Sequence, residues 1–111
     1  DISGRAISAS TDFAQKRRAT LVTFMKVLDN CIDWAYTHTD ESSKAYAALN
    51  KIDASTAAKG MTFYKRSTLA FGPLIGWDEI VKQSIGAKFI SAPPTPDQVK
   101  DLTDIVYTTA K

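Results

Sequence analysis

Apolar residues recur along this chain at steps of three and four, and the pattern is clearest between residues 10 and 35. Leu21, Phe24, Met25, Leu28, Cys31, Ile32 and Ala35 fall on one stripe, while Lys26, Asp29, Asn30 and Asp33 fall mainly on other faces. This spacing predicts a long amphipathic helix with one buried side. Ser10 or Thr11 is placed to offer an oxygen to the free amides of a first short turn, and Asp12 stands where the positive end of the helix dipole favours a carboxylate. Phe13 is expected to anchor that turn.

The same beat predicts four further helices. Thr39-Asp40-Glu41 supplies cap and first-turn residues, and Ala45, Tyr46, Leu49 and Ile52 keep a helical period to about Lys51. Asp53 caps a third helix with a narrow stripe of Ala57, Ala58, Met61 and Tyr64, weakened by Gly60. Phe71-Gly72-Pro73 is a turn, because proline lacks an amide donor and glycine tolerates positive φ. Trp77, Ile80, Val81 and Ile85 mark a fourth helix that begins near Gly76 and stops at Gly86. Ala92-Pro93-Pro94 is extended, since each proline moves its predecessor out of the helical region. Thr95-Pro96-Asp97-Gln98 then carries a threonine cap, a first-position proline and a capping-box glutamine. The last helix is expected to run through Val99, Leu102, Ile105, Val106 and Tyr107. Residues 2–9 read as a short strand or an extended lead-in. There are no repeats and no linker, so residues 1–111 form a single, mainly α segment of about five helices.

Composition narrows function mostly by exclusion. The 111 residues are 44% hydrophobic and 23% charged, an ordinary globular balance. No apolar run approaches the length of a membrane span, and no signal-peptide pattern is present. The chain starts at Asp1 without an initiator methionine, as expected of a processed product or a piece of a longer protein. A net charge of +2, with basic residues dense only at Lys16-Arg17-Arg18 and weaker at Lys65-Arg66, argues against nucleic acid as a partner.

Candidate chemistry is equally sparse. One Cys and one His cannot build a structural zinc site, so neither a metal nor a cofactor is expected. Cys31 and His38 share a nominal helix face, yet two turns separate them by about 10 Å, beyond the reach of a thiol and its base. Cys31 therefore reads as a small core residue and His38 as a residue at a helix end, where it favours the negative dipole. Asp29 and Asp33, and the stripe Asp97, Asp101 and Asp104, read as exposed polar faces, since no nucleophile or glycine-rich turn accompanies them. No catalytic residue is assigned, and the chain is expected not to be an enzyme.

One resemblance adds a function. Ser10-Thr11-x-Phe13-Ala14, then Leu21-Val22-x-Phe24, then Leu28-Asp29-x-x-Ile32-Asp33-Trp34 resembles the C-terminal third of bacterial ABC-transporter substrate-binding proteins, in the group for nitrate, sulfonate, taurine and thiamine precursors. Residues 74–111 are similar to the closing helices of that group, with Phe89-Ile90 before the prolines. The group often carries Asn-Pro near Arg18-Ala19 and Thr39-Asp40, and neither proline is present here. The resemblance implies a two-lobed α/β periplasmic-binding-protein fold, of which this chain would be the C-terminal helical portion. It implies capture of a small anionic or organic solute, delivery to an ABC permease, and a periplasmic or extracytoplasmic location. Ser8, Ser10 and Thr11 are the candidate ligand-binding residues, because they stand where a helix N-terminus offers amides to an anion. The alternative from the residues alone is a stand-alone helical module that binds a protein or lipid. If the chain is a fragment, its Leu21–Ile32 stripe and its Trp34 and Trp77 rings are expected to lack partners and to favour self-association.

Overall fold

A computed structural model describes residues 6–110, which carry six α-helices and one 3-10 turn. Ser10 caps the first helix, α1 (Thr11–Lys16), by accepting a hydrogen bond from the Phe13 amide at 3.2 Å. An Asp12–Lys16 ion pair spans its one full turn. At Arg17 the backbone leaves helical geometry (φ −125°, ψ 31°), and α2 (Arg18–Thr37) starts afresh without a side-chain cap. The first short turn and the long helix are thus two elements, which raises the expected five helices to six. Residues 6–10 form no strand, and the rest of the predicted lead-in, residues 2–5, lies outside the described residues.

The apolar stripe of α2 divides between two environments. Leu21 and Met25 are buried and Leu28 and Ile32 half-buried, but Phe24, Val27 and Trp34 stand about half exposed. Phe13 is 42% exposed, so it does not anchor α1 in an enclosed core.

His38 ends α2 and immediately precedes α3 (Thr39–Asn50). Ser42 staples this corner, donating to the Ala35 carbonyl at 2.9 Å and the Thr39 carbonyl at 3.2 Å. Lys51 then takes the left-handed conformation (φ 55°) that turns the chain into α4 (Ala54–Thr62). The expected face of α3 is not the one that packs: Tyr46, Leu49 and Ile52 are exposed, whereas Ser43 and Ala47 are buried beside Ala57 of α4. Small side chains let the two helices approach closely, and Ser42 and Ser43 both reach the Met61 sulfur, at 3.5 and 3.3 Å.

A 3-10 turn (Arg66–Leu69) and the bends around Phe71-Gly72-Pro73 lead to α5 (Trp77–Gly86), entered through Gly76 at φ 75°. That backbone conformation is why glycine stands there. The final helix, α6 (Pro96–Leu102), has the complete capping box, with Thr95 and Gln98 each bonding the other's backbone amide.

α6 stops at Leu102, five residues short of the helix read from the periodicity. Thr103 turns its hydroxyl back onto the Val99 carbonyl at 2.7 Å, and the β-branched run that follows favours extended backbone over helix. Residues 103–110 then run back to α2, where Arg18 forms a two-pronged pair with Asp104.

The result is an open assembly of helices. The radius of gyration is 17.0 Å, against about 13 Å for a compact domain of this length. The accessible surface of 8934 Å² compares with about 6,000 Å² for a compact monomer of this mass. Among the described residues the buried hydrophobic side chains are Leu21, Met25, Ala47 and Ala57, and no large side chain is fully enclosed.

Candidate functional site

The three residues singled out for ligand binding lie on one exposed edge. Ser8 is in the extended lead-in, Ser10 is the N-cap of α1, and Thr11 is the first residue of that helix. The Ser10 oxygen already accepts from the Phe13 amide, leaving its hydroxyl proton and the Ser8 and Thr11 hydroxyls facing outward. Because α1 is only six residues long and is broken from α2 at Arg17, the dipole of the 20-residue helix does not reach Ser10.

Cys31 is exposed, not a core residue, because it falls on the uncovered side of α2 together with Phe24. His38 is held at the end of α2. Its ring stacks on Trp34 with centroids 4.8 Å apart, and its Nδ1 lies 3.1 Å from the Trp34 carbonyl oxygen and 2.9 Å from the Thr37 hydroxyl.

The most organised polar arrangement centres on a residue that periodicity assigned to the surface. Asp29 is only 5% exposed and accepts hydrogen bonds on both oxygens. Arg66 and Thr109 donate to Oδ1, the latter at 3.0 Å, and the Tyr107 hydroxyl donates to Oδ2 at 2.8 Å. Arg66 also donates from Nε to Asp33 at 2.6 Å, so one guanidinium spans the Asp29–Asp33 pair from the 3-10 turn. Thr109 is itself fixed to Phe71 in both directions: its hydroxyl accepts from the Phe71 amide at 2.8 Å, and its amide donates to the Phe71 carbonyl at 3.0 Å. The Phe71 and Tyr107 rings meet edge to face with centroids 6.2 Å apart.

Electrostatics follows from this geometry. Burial pushes the Asp29 carboxyl up, but the bonds from Tyr107, Arg66 and Thr109, with the Arg66 charge, outweigh it and hold the group below the usual carboxylate range. The Tyr107 phenol is raised, chiefly because ionising it would break its bond to an anion. Asp104 is held down by its bond to Arg18. Asp29 therefore stays ionised while committing both oxygens to the chain's own donors, an arrangement that fastens three segments together. Asp97 and Asp101 remain exposed on α6, as the periodicity suggested, but Asp104 lies beyond that helix.

One signal for the buried carboxylate was present in the sequence. Asp29 lies four residues after Met25 and next to Leu28, at the margin of the buried stripe. Its partners lie 37, 78 and 80 residues away, with no periodicity connecting them.

An open groove lies between α5 and the chain entering α6. It has a volume of about 630 Å³ and is lined by Trp77, Asp78, Val81, Lys82 and Ile85 from α5 and by Pro93, Pro94, Pro96 and Val99 opposite. A second recess of about 530 Å³ is formed by Ile85, Lys88, Phe89, Ile90 and Ser91. Both are within the size range of small-molecule sites, but neither gathers a set of converging polar groups. No helix of the described residues is long and apolar enough to cross a membrane. Compared with protein-family models, curated proteins and solved structures, the chain matches none of them.

Proposed function

We propose that this chain is the helical portion of an extracytoplasmic solute-binding protein and serves capture of a small anionic or organic solute for an ABC importer rather than catalysis. The observation that carries the reading is the uncovered apolar surface: Phe24, Val27, Trp34, Tyr46, Leu49 and Phe89 are all between 46% and 83% exposed in a chain with almost no enclosed core. Helices of this kind gain most of their stability by packing, and a neighbouring α/β lobe would provide the missing contacts. The sequence resemblance over residues 10–35 and 74–111 is what points to this family.

On this reading the ligand contacts from this segment are few. Ser8, Ser10 and Thr11 offer hydroxyls at the start of the helical region, and most of the cleft belongs to other parts of the protein. The Asp29 cluster acts as a fastener that keeps the last eight described residues against α2.

A stand-alone helical interaction module is the second reading, favoured by the Trp77–Val81–Ile85 groove, whose apolar wall suits a partner helix or an extended peptide. The reading frame upstream of Asp1 separates the two. The solute-binding reading expects a signal peptide and an α/β lobe there, and heat of binding when the whole product is titrated with nitrate and small sulfonates. A frame that begins close to Asp1 and encodes no lobe overturns it in favour of the module.

A further inference from the structure

Residues 103–110 are held by bonds rather than by burial. No side chain of this segment is buried, and Ile105 is 41% exposed. The segment is attached by the half-exposed Arg18–Asp104 pair, by the Tyr107 and Thr109 hydroxyls on Asp29, and by the two bonds between Thr109 and Phe71. The edge-to-face contact of Phe71 and Tyr107 adds to them.

Local signals allow the same residues a second conformation. α3 and α5 are each closed by a left-handed residue, Lys51 and Lys88, that turns the chain away. No glycine, proline or left-handed residue follows α6 among residues 103–110. The Thr103 amide and hydroxyl both bond the Val99 carbonyl four residues back, at 3.0 and 2.7 Å, as they do inside a helix. A continued helix would carry Val106 on the face by which Val99 lines the groove beside α5, and would set Asp104 one turn after Lys100, an opposite charge. It would also lengthen an existing helix, without the cost of nucleating a new one. Against it stand the β-branched residues Ile105, Val106, Thr108 and Thr109. Their penalty per residue is small beside the loss of a hydrogen bond to a charged group, so the bonds to Asp29 decide the balance.

We propose that residues 103–109 are a two-state strap, extended across α2 while Tyr107 and Thr109 are bonded to Asp29 and continued as helix from α6 once those bonds are released. In the extended state Arg18 holds Asp104; in the helical state Lys100 takes over that charge. Release strips Asp29 of two of its three donors and leaves the Asp29–Asp33 pair with Arg66 alone, uncovering that acidic pair on α2. The strap is independent of the solute-binding reading, since both of its states are built from this chain and the upstream frame enters neither.

Per-residue Cα chemical shifts of the 111-residue chain read the two states directly. Tyr107→Phe combined with Thr109→Val removes both hydroxyl donors at nearly constant volume. Residues 103–108 are expected to move from extended to helical shifts in this variant, with a gain in far-ultraviolet helix signal, and adding Ile105→Pro should abolish both changes. Ile105→Leu with Val106→Leu raises helix propensity and leaves the bonded hydroxyls in place, so it should move the same residues in the same direction. Should the first variant fail to fold, the second reads the balance by itself. Coil-like or extended shifts over residues 103–108 in a folded first variant would overturn the strap, as would unchanged shifts in the second. A helical gain that survives Ile105→Pro would also overturn it, because the new helix would then lie elsewhere.

Discussion

At the residue scale, Asp29 decides more than any other side chain. Asp29→Asn retains volume but loses the charge that faces Arg66, while Arg66 keeps Asp33 as a partner, so the loss is that of hydrogen bonds to a charged group and urea unfolding is expected to register about 1.5–3 kcal/mol. Tyr107→Phe removes a single bond to a charged group and is expected to lower the urea midpoint by a smaller amount. An unchanged midpoint in both variants would show that the cluster does not hold the tail. The same carboxylate sets an acid limit. Its folded value lies below the ordinary Asp value of about 3.9, so its contribution is present in full above that value. The contribution is lost as pH falls through the lowered value. Asp104 has the same sign, but its pair with Arg18 is exposed and screened. Thermal unfolding between pH 6 and pH 2 should show a decline concentrated below pH 4 that is smaller in Asp29→Asn.

At the scale of elements, several local rules worked where the deciding partners were a few residues apart, although Asp53 makes no side-chain cap for α4 and α3 starts after His38 without one. The capping box at Thr95 and Gln98, the Ser10 cap and the left-handed Gly76 are all local devices, and each appears where its residues stand. The rules failed where a distant partner chose between faces or conformations. Tyr46 and Leu49 have the larger apolar side chains on α3, yet Ser43 and Ala47 face α4 because close approach requires small residues on both helices. Residues 103–107 carry a helical period as well as β-branched side chains, and bonds from Tyr107 and Thr109 to α2 favour the extended form. Gly60 gives an independent test of an element. It sits inside α4 with nothing within 4 Å of an added Cβ, so Gly60→Ala should stabilise the chain by about 0.5–1 kcal/mol. A destabilised Gly60→Ala variant in urea would mean that the α3–α4 packing requires the glycine.

At the scale of the whole molecule, the tail acts as a clasp between remote parts of the chain. It ties α2 through Asp29 and Arg18, and the Phe71 bend through Thr109. Truncation after Leu102 therefore removes Asp104, Tyr107 and Thr109 together and leaves Asp29 facing Arg66 alone. The expected outcome is a lower unfolding midpoint for the entire chain, and hydrogen exchange should accelerate along α2 and the 3-10 turn as well as near the cut. Faster exchange confined to α6 would show that the tail is a passenger. The large exposed surface belongs to this scale as well, since no single helix is unusual in its composition; the surplus arises from how few helix faces meet.

Hydrophobic spacing and local capping chemistry determined that this protein is mainly helical and where most helices begin, because those features depend on neighbours along the chain. The Ser10 cap was equally visible, with the Ser8 and Thr11 hydroxyls on either side of it. Only the tertiary structure decided that Asp29 is buried, that Arg66, Tyr107 and Thr109 converge on it, and that Phe24, Val27, Cys31 and Trp34 are left uncovered. A stripe wider than one contact does not announce which half of it will be packed. That choice depends on partners many residues away, and the cost of burying a charge is offset only once those partners arrive.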